Sequence, residues 1–422
     1  MPDSASQVLD ADGIDLDDLY GDLATNHPDI YYAHVRRADR VYYNRRWGGW
    51  IVTGFEEVAA GYRDHARLSS ERMAGPWGEK NNRQKGSGEL SPVFKVMASF
   101  FGWMDPPDHT RFRKLLQAAF TPVSLEEMRP RVGELVREYA AGIPDGAPFD
   151  FINRFAFHLP VTVISEYLGA RVEDRHLIGE WSEDLGHTIF AGKNGMTADE
   201  RARLGERAIN NFIAYFTEII EDRRRSPRDD LISRLVRAEP DGDPLTHEEI
   251  VAQSIVMLFA GHETTTNLLA NGMVAFARFP EQWRNIRKDP ALVRPATEEM
   301  LRFDGPIGAQ GRWARTSFEF GGKAIRENDR VMLMQWAANR DPEAFEDPDT
   351  FDVTRKRIRH LGFGHGIHTC LGSPLARIEV QETLRYLTGR YVSVELATEP
   401  LTYKPTLTSR SLTKLDVVLQ PA

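Results

Sequence analysis

From Thr246 to Pro280 the chain runs for about 33 residues in one unbroken apolar pattern, and no other feature restricts the fold so strongly. Thr246-His247-Glu248-Glu249 fits a capping box, in which Thr246 and Glu249 satisfy each other's backbone amides. The helix predicted from there is roughly 50 Å long. Apolar on most faces, it has to cross the middle of a globule. Yet its centre reads Ala260-Gly261-His262-Glu263-Thr264-Thr265-Thr266. A glycine inside a helix costs about 1 kcal/mol against alanine. Threonine hydroxyls compete for backbone carbonyls and can bend a helix, and a buried Glu263 adds a cost unless it is paired or protonated. One reading is a kinked core helix with a satisfied polar cluster. The other is a bend at Gly261 that opens a cavity. Val256, Ala260, Glu263 and Thr264 follow i, i+4, i+7, i+8 spacing and share one face. An acid and an alcohol then stand side by side, as a proton-delivery pair needs. His262 points away from that face, toward the core or the surface.

The remaining sequence is that of a folded chain with room for such a helix. Its 422 residues, 41% hydrophobic and 27% charged, can bury a large core with space for a cofactor. A net charge of −9 argues against a general nucleic-acid binder. One cysteine excludes an internal disulfide and fits a reducing compartment. No secretory leader or membrane span is visible, so the expectation is a soluble cytoplasmic protein without a membrane partner. Val41 to Thr53 reads as two short strands around Gly-Gly, and "FEFGGKAIRENDRVMLMQWAANRD" as a second such region. Helical patterns dominate elsewhere, including His109 to Phe120 after Asp105-Pro106-Pro107. The expected fold is mainly α with a small β-rich region, a flexible N-terminal segment over 1–25 and one domain over 26–422. Gly78 to Leu90 reads as a mobile surface loop, whose Lys80, Arg83 and Lys85 either face water or meet an anionic substrate.

Glu299-Met300-Leu301-Arg302 puts a carboxylate and a guanidinium one helical turn apart. Such pairs are common on surfaces and contribute little there. This one passes straight into Gly305-Pro306, and downstream lies an irregular Pro- and Asp-rich stretch ending at Arg355. A bidentate Arg–Glu–Arg cluster could fix that stretch, in a structural role.

The single cysteine lies in "HLGFGHGIHTCLG", His360 to Gly372, among four glycines and three histidines. His365 and His368 keep a Cys–His nucleophile open. A zinc site is poorly served, since three ligands within six residues are too tight for the usual spacing. A buried inert thiol is the plainest reading of a lone cysteine, but it leaves Gly362, Gly364, Gly366 and Gly372 without a reason. Glycines permit positive φ and close backbone approach to a flat, bulky object. Peptide N–H groups around a thiolate also stabilise its charge. The combination suits a thiolate bound to haem iron.

Phe363 to Gly372 resembles the haem-binding signature F-x-x-G-x-H/R-x-C-x-G of the cytochrome P-450 family, in its soluble bacterial branch, at every fixed position. Ala260 to Thr265 resembles the oxygen-activation motif of that family's central helix, and Glu299-x-x-Arg302 its structural pair, with Arg355 as third member. The resemblance runs from about Tyr31 to the C-terminus and implies the family's triangular helical prism. It makes Cys370 the proximal ligand of haem b, with Phe363 and Gly372 in the haem loop and Ala260 and Gly261 above it. His109, Arg113, Arg312 and His368 would hold the propionates. The reaction implied is reductive activation of dioxygen and insertion of one oxygen atom into an organic substrate, with protons passing by Glu263 and Thr264. Electrons would come from NAD(P)H through a separate ferredoxin and ferredoxin reductase, docking near Arg355-Lys356-Arg357-Arg359. Val256, Phe259, Ala260, Ile307, Gly308 and Leu407 would line a pocket for a small hydrophobic or aromatic substrate, closed by Met73 to Met104. Oxidative coupling, peroxide-driven chemistry and a non-catalytic haem sensor are the alternatives; the acid–alcohol pair speaks against the sensor.

Overall fold

The computed structural model describes residues 9–71, 92–190, 196–238 and 244–422. The capping box closes in both directions: Glu249 N–H donates to Thr246 Oγ1 (3.2 Å) and Thr246 N–H to Glu249 Oε2 (2.8 Å). The helix it starts spans His247–Arg278 and is followed by a second helix, Pro280–Lys288. Proline at a helix's first position loses no intrahelical bond, so the chain restarts there cheaply. Where a bend is expected at Gly261 the helix remains continuous, with the Thr264 hydroxyl donating to the Ala260 carbonyl at 2.9 Å.

The helices that pack against this central one include His158–Leu168, Ala198–Arg225, Val293–Asp304 and Ser373–Arg390. Together they bury the main hydrophobic core, which is what a helix apolar on most faces requires.

The β portion is small. Val41–Asn44 and Gly49–Val52 pair antiparallel, Val41 opposite Val52. The second strand also pairs in parallel with Arg330–Leu333, which is followed across the sheet by Gln310–Ala314 and Leu68–Ser69. This sheet sets Arg312 opposite Val331. Tyr391–Leu396, Asp416–Pro421 and Phe149–Asp150 form a second sheet. Gly321 and Gly322, both at positive φ, turn Phe318–Phe320 back onto Lys323–Ile325.

Within the N-terminal segment the chain packs on the fold from Ile14 onward. Leu16 and Leu19 are buried, and the Tyr31 hydroxyl donates to the Leu16 carbonyl at 2.6 Å. Two leucines among acidic residues are too sparse to give a period, yet they suffice to anchor the segment. No helix among the described residues is long and apolar enough to cross a membrane. The Gly78–Leu90 loop, and Met73 to Met104 as far as residue 91, lie outside the described residues. From Pro92 the chain docks on the central helix, where Gln253 donates to the Ser99 carbonyl (2.5 Å) and accepts from Phe101 N–H (3.4 Å).

Candidate functional site

The central helix is buried at every position from Thr265 to Phe276, but one strip upstream is open. Val256, Gly261, Glu263 and Thr264 are half-buried there, and Ala260 is exposed. An exposed alanine midway along a largely buried helix marks a hollow on the face that carries the acid and the alcohol. Asn267 Nδ2 donates to Glu263 Oε1 at 3.4 Å and to Ser411 Oγ at 2.9 Å, which steadies the carboxylate. His262 lies in the core, its Nδ1 donating to the Leu258 carbonyl at 2.8 Å, and burial holds its pKa below the ordinary imidazole value.

Two residues expected over the hollow also make close contacts with protein. A Cβ at Gly261 would stand 2.7 Å from Ile164 Cγ1, so the glycine lets the His158–Leu168 helix approach closely. Phe259 is buried with its ring 5.6 Å from that of Phe190. Leu407 is also buried, and together with Gly308 it borders a cavity of about 30 Å³ beside Pro28 and Tyr32. Ile307 bridges to Ser409. Of the pocket residues expected, Val256 and Ala260 are open on the strip, whereas Phe259 and Leu407 are buried, Phe259 against Phe190.

The cysteine loop is fixed at its entrance. Leu361 N–H donates to Asn339 Oδ1 (2.7 Å), Gly364 N–H to the Leu361 carbonyl (2.8 Å) and Cys370 N–H to the Phe363 carbonyl (2.9 Å). Gly364 and Gly366 adopt φ of +69° and +73°, a region costly for other residues. The close approaches, however, are to protein. A Cβ at Gly366 would lie 2.7 Å from the Tyr62 carbonyl, and one at Gly362 2.9 Å from that of Leu301. Only Gly372 looks onto open space, with nothing within 4 Å of its would-be Cβ, and Cys370 is exposed beside it. The thiol is ringed by protein all the same. Burial pushes its pKa up, against the Gly372 N–H, the charges of Arg113 and Arg377, and the Ser373 N–H.

The loop's histidines do not serve Cys370 as bases. His365 is exposed, with Nε2 3.3 Å from Arg63 Nη1, and both nitrogens of His368 lack partners. Among the described residues no cluster of three His, Cys, Asp or Glu ligand atoms includes Cys370, which disposes of a zinc site in the loop.

His109 and His368 meet with ring centroids 4.2 Å apart. His109 Nε2 and both His368 nitrogens are buried without a hydrogen-bond partner. Burial, then the charges of neighbouring cations, lowers their pKa values to about 4 and about 2. Arg312 completes this corner, its Nη1 donating to the Gly311 carbonyl (2.8 Å) and its own pKa lowered by burial. Arg113 reaches the loop itself, donating to the Thr369 carbonyl at 2.7 Å. Buried polar atoms are nearly always satisfied, so orphaned imidazoles beside arginines call for an anion. Haem fits: its propionates match the unpartnered donors, and its iron matches an accessible thiolate in an otherwise enclosed loop.

Glu299 and Arg302 form a corner of another kind. Both are 0% exposed, joined by Nη2–Oε1 (2.6 Å) and Nε–Oε2 (2.7 Å) hydrogen bonds. Arg355 Nε and Asp352 N–H also donate to Glu299 Oε1, at 3.1 and 2.9 Å. Arg302 further binds the carbonyls of Asn339, Pro348 and Thr350, which pins the irregular stretch. Lys356, Arg357 and Arg359 are exposed.

Sequence reasoning passes over Glu298, Gln335 and Tyr62. Gln335 accepts from the Tyr62 hydroxyl (2.5 Å) and donates to the Gly362 carbonyl (3.3 Å), bracing the loop from beneath. Glu298 binds His360 and Arg377. The one available signal is its place beside Glu299, and a glutamate on a helix gives no hint of partners so far along the chain.

A mainly helical fold, an open acid–alcohol strip and a solitary accessible thiol beside orphaned anion donors together define a haem-thiolate protein. The comparisons say which. A family model described as cytochrome P450 matches residues 188–391. The biotin biosynthesis cytochrome P450 of Bacillus subtilis is 36% identical over 93% of this chain and 96% of its own length. The vitamin D(3) 25-hydroxylase of Pseudonocardia autotrophica is 34% identical over 98% and 99%. Among solved structures, P450BioI in complex with acyl carrier protein ligated with hexadec-9Z-enoic acid superposes with a TM-score of 0.84, covering 93% of this chain and 98% of that one at 35% identity. The chain belongs to the cytochrome P450 family and is a haem-thiolate monooxygenase.

Proposed function

We propose that Cys370 is the axial ligand of haem b, that His109, His368 and Arg312 hold the propionates, and that Glu263 and Thr264 manage protons during oxygen insertion into a small hydrophobic or aromatic substrate. The observation that carries this reading is the pairing of an accessible lone thiol with buried imidazole nitrogens that nothing in the chain satisfies. When bound, thiolate-ligated haem supplies dioxygen activation and favours O–O cleavage.

The chain's own residues supply the rest. Arg113 and the Gly372 N–H favour the thiolate form of Cys370. Thr264 spends its hydroxyl proton on the Ala260 carbonyl, so toward the hollow it is an acceptor that holds a proton donor in place. Glu263, one residue before it and steadied by Asn267, is the group that gains and loses the proton. Val256 and the Ala260 methyl present apolar surface beside this pair, which favours an apolar substrate. Electrons come from redox partners, as in the family at large. We assign these to a ferredoxin and its NAD(P)H-dependent reductase in the cytoplasm, with exposed Lys356, Arg357 and Arg359 offering charge to an acidic partner.

Turnover of a broad panel of apolar compounds with a surrogate ferredoxin and reductase tests the reading. The expected result is reductant-dependent oxygenated product, with Glu263→Gln lowering turnover about a hundredfold while haem content is unchanged. Wild-type turnover that Glu263→Gln leaves intact would remove the proton role.

A further inference from the structure

The loop's remaining histidine has a defined tautomer. Gly362 N–H points at His360 Nδ1 (3.0 Å), so Nδ1 accepts and the ring proton sits on Nε2, which donates to Glu298 Oε2 (3.0 Å). Glu298 also receives Arg377 in bidentate fashion, Nε to Oε1 at 2.7 Å and Nη2 to Oε2 at 2.9 Å. Three elements meet at this carboxylate: the Val293–Asp304 helix that carries it, the entrance of the cysteine loop and the Ser373–Arg390 helix that leaves the loop.

Arg377 is well placed to be felt at the sulfur. Its guanidinium lies over the Phe363 ring, 4.5 Å from the centroid, and the Phe363 carbonyl receives the Cys370 N–H. Its charge favours the thiolate of Cys370. The same charge is offset by Glu298. Burial works against ionisation of this carboxyl, but hydrogen bonds from His360 and Arg377 outweigh it and hold the pKa down to about 2. The carboxylate is thus a fixed negative charge at working pH.

We propose that the His360–Glu298–Arg377 triad tunes the reduction potential of the haem iron, Glu298 setting how much of the Arg377 charge reaches Cys370. The inference rests on Cys370 being the axial ligand. These are positioning residues: none touches the ligand, and they act through charge and through the placement of the loop. Reduction adds one electron at the iron–thiolate unit, so an uncompensated cation nearby favours the reduced form. Only half-buried, Arg377 and Glu298 interact across an intermediate dielectric, where a unit charge changes such an equilibrium on the order of tenfold.

Spectroelectrochemical titration of the haem-loaded protein decides the matter. Glu298→Gln uncovers Arg377 and raises the reduced-to-oxidised ratio at a fixed potential about tenfold, which is about 59 mV for one electron. Arg377→Gln lowers the ratio by a similar factor. The double variant, with the charge removed on both sides, returns to within about twofold of wild type. Should Glu298→Gln fail to load haem, Arg377→Lys against Arg377→Gln carries the test: the lysine variant stays near wild type and the glutamine variant falls. A merely structural triad would move both single variants the same way, and that result, or no movement, overturns the proposal. The carbon-monoxide spectrum of the wild type is read first: a band lacking thiolate character would remove the ligand assignment, whereas a normal band with unopposed shifts would remove only the tuning.

Discussion

The Glu299–Arg302 corner and the His109–His368 corner are both buried and polar, yet they are satisfied in opposite ways. In the first, every guanidinium nitrogen of Arg302 has an acceptor supplied by the chain. In the second, three imidazole nitrogens have none, and an arginine stands beside them. Desolvating polar groups is costly in both places. The chain meets the cost internally at the Glu299–Arg302 corner and leaves it unmet at the corner proposed to hold the propionates.

That contrast can be broken in several ways. The largest effect expected is from Arg302→Leu, which removes the bidentate partner of the buried Glu299 carboxylate, leaving it Arg355 and the Asp352 N–H, and costs about 3–5 kcal/mol. Urea unfolding should show this loss in haem-free and haem-loaded protein alike. A loss confined to the loaded form would mean that the corner serves the cofactor. The next effect is one of pH. In the haem-free protein His109 has a folded pKa of about 4, below its unfolded value near 6.5. The unfolded state therefore takes up the proton first, and stability present above about pH 6.5 is lost as pH falls toward 4, on the order of 3 kcal/mol. Bound propionates would reverse the shift, so unfolding of the loaded protein should lack this limb. Equal acid sensitivity of the two forms would contradict an anion at His109. Smaller again, Gly261→Ala presses a methyl onto Ile164 and costs about 1–3 kcal/mol. Its spectrum with haem should match wild type, since the glycine serves helix packing, and Ile164→Val should recover part of the loss.

Much of this architecture is legible in residue order. The central helix declares itself through a capping box and a continuous apolar pattern, because both are local properties. Glu299 and Arg302 are legible because three-residue spacing puts them one turn apart. Arg355 is legible only through the Pro- and Asp-rich stretch it ends. What escapes is whatever depends on distant packing. Gly261 looks like a helix breaker until Ile164 is found against it. Phe259 sits within a turn of the open strip, yet Phe190 takes its ring. Glu298 resembles a surface acid, and its partners His360 and Arg377 lie 62 and 79 residues away. Leu16 and Leu19 dock an acidic segment without any period to announce them. The glycines of the cysteine loop suggest a flat ligand, but two of them are needed for Tyr62 and Leu301.

The central assignment is Cys370 as the axial ligand of a haem held by the orphaned imidazoles. The absorption spectrum of the reduced carbon-monoxide complex tests this most directly. The haem-loaded wild type should show the far-red-shifted Soret band of thiolate ligation, and Cys370→Ser should bind haem without it. Absence of that band in the wild type, or its persistence in Cys370→Ser, would contradict the assignment.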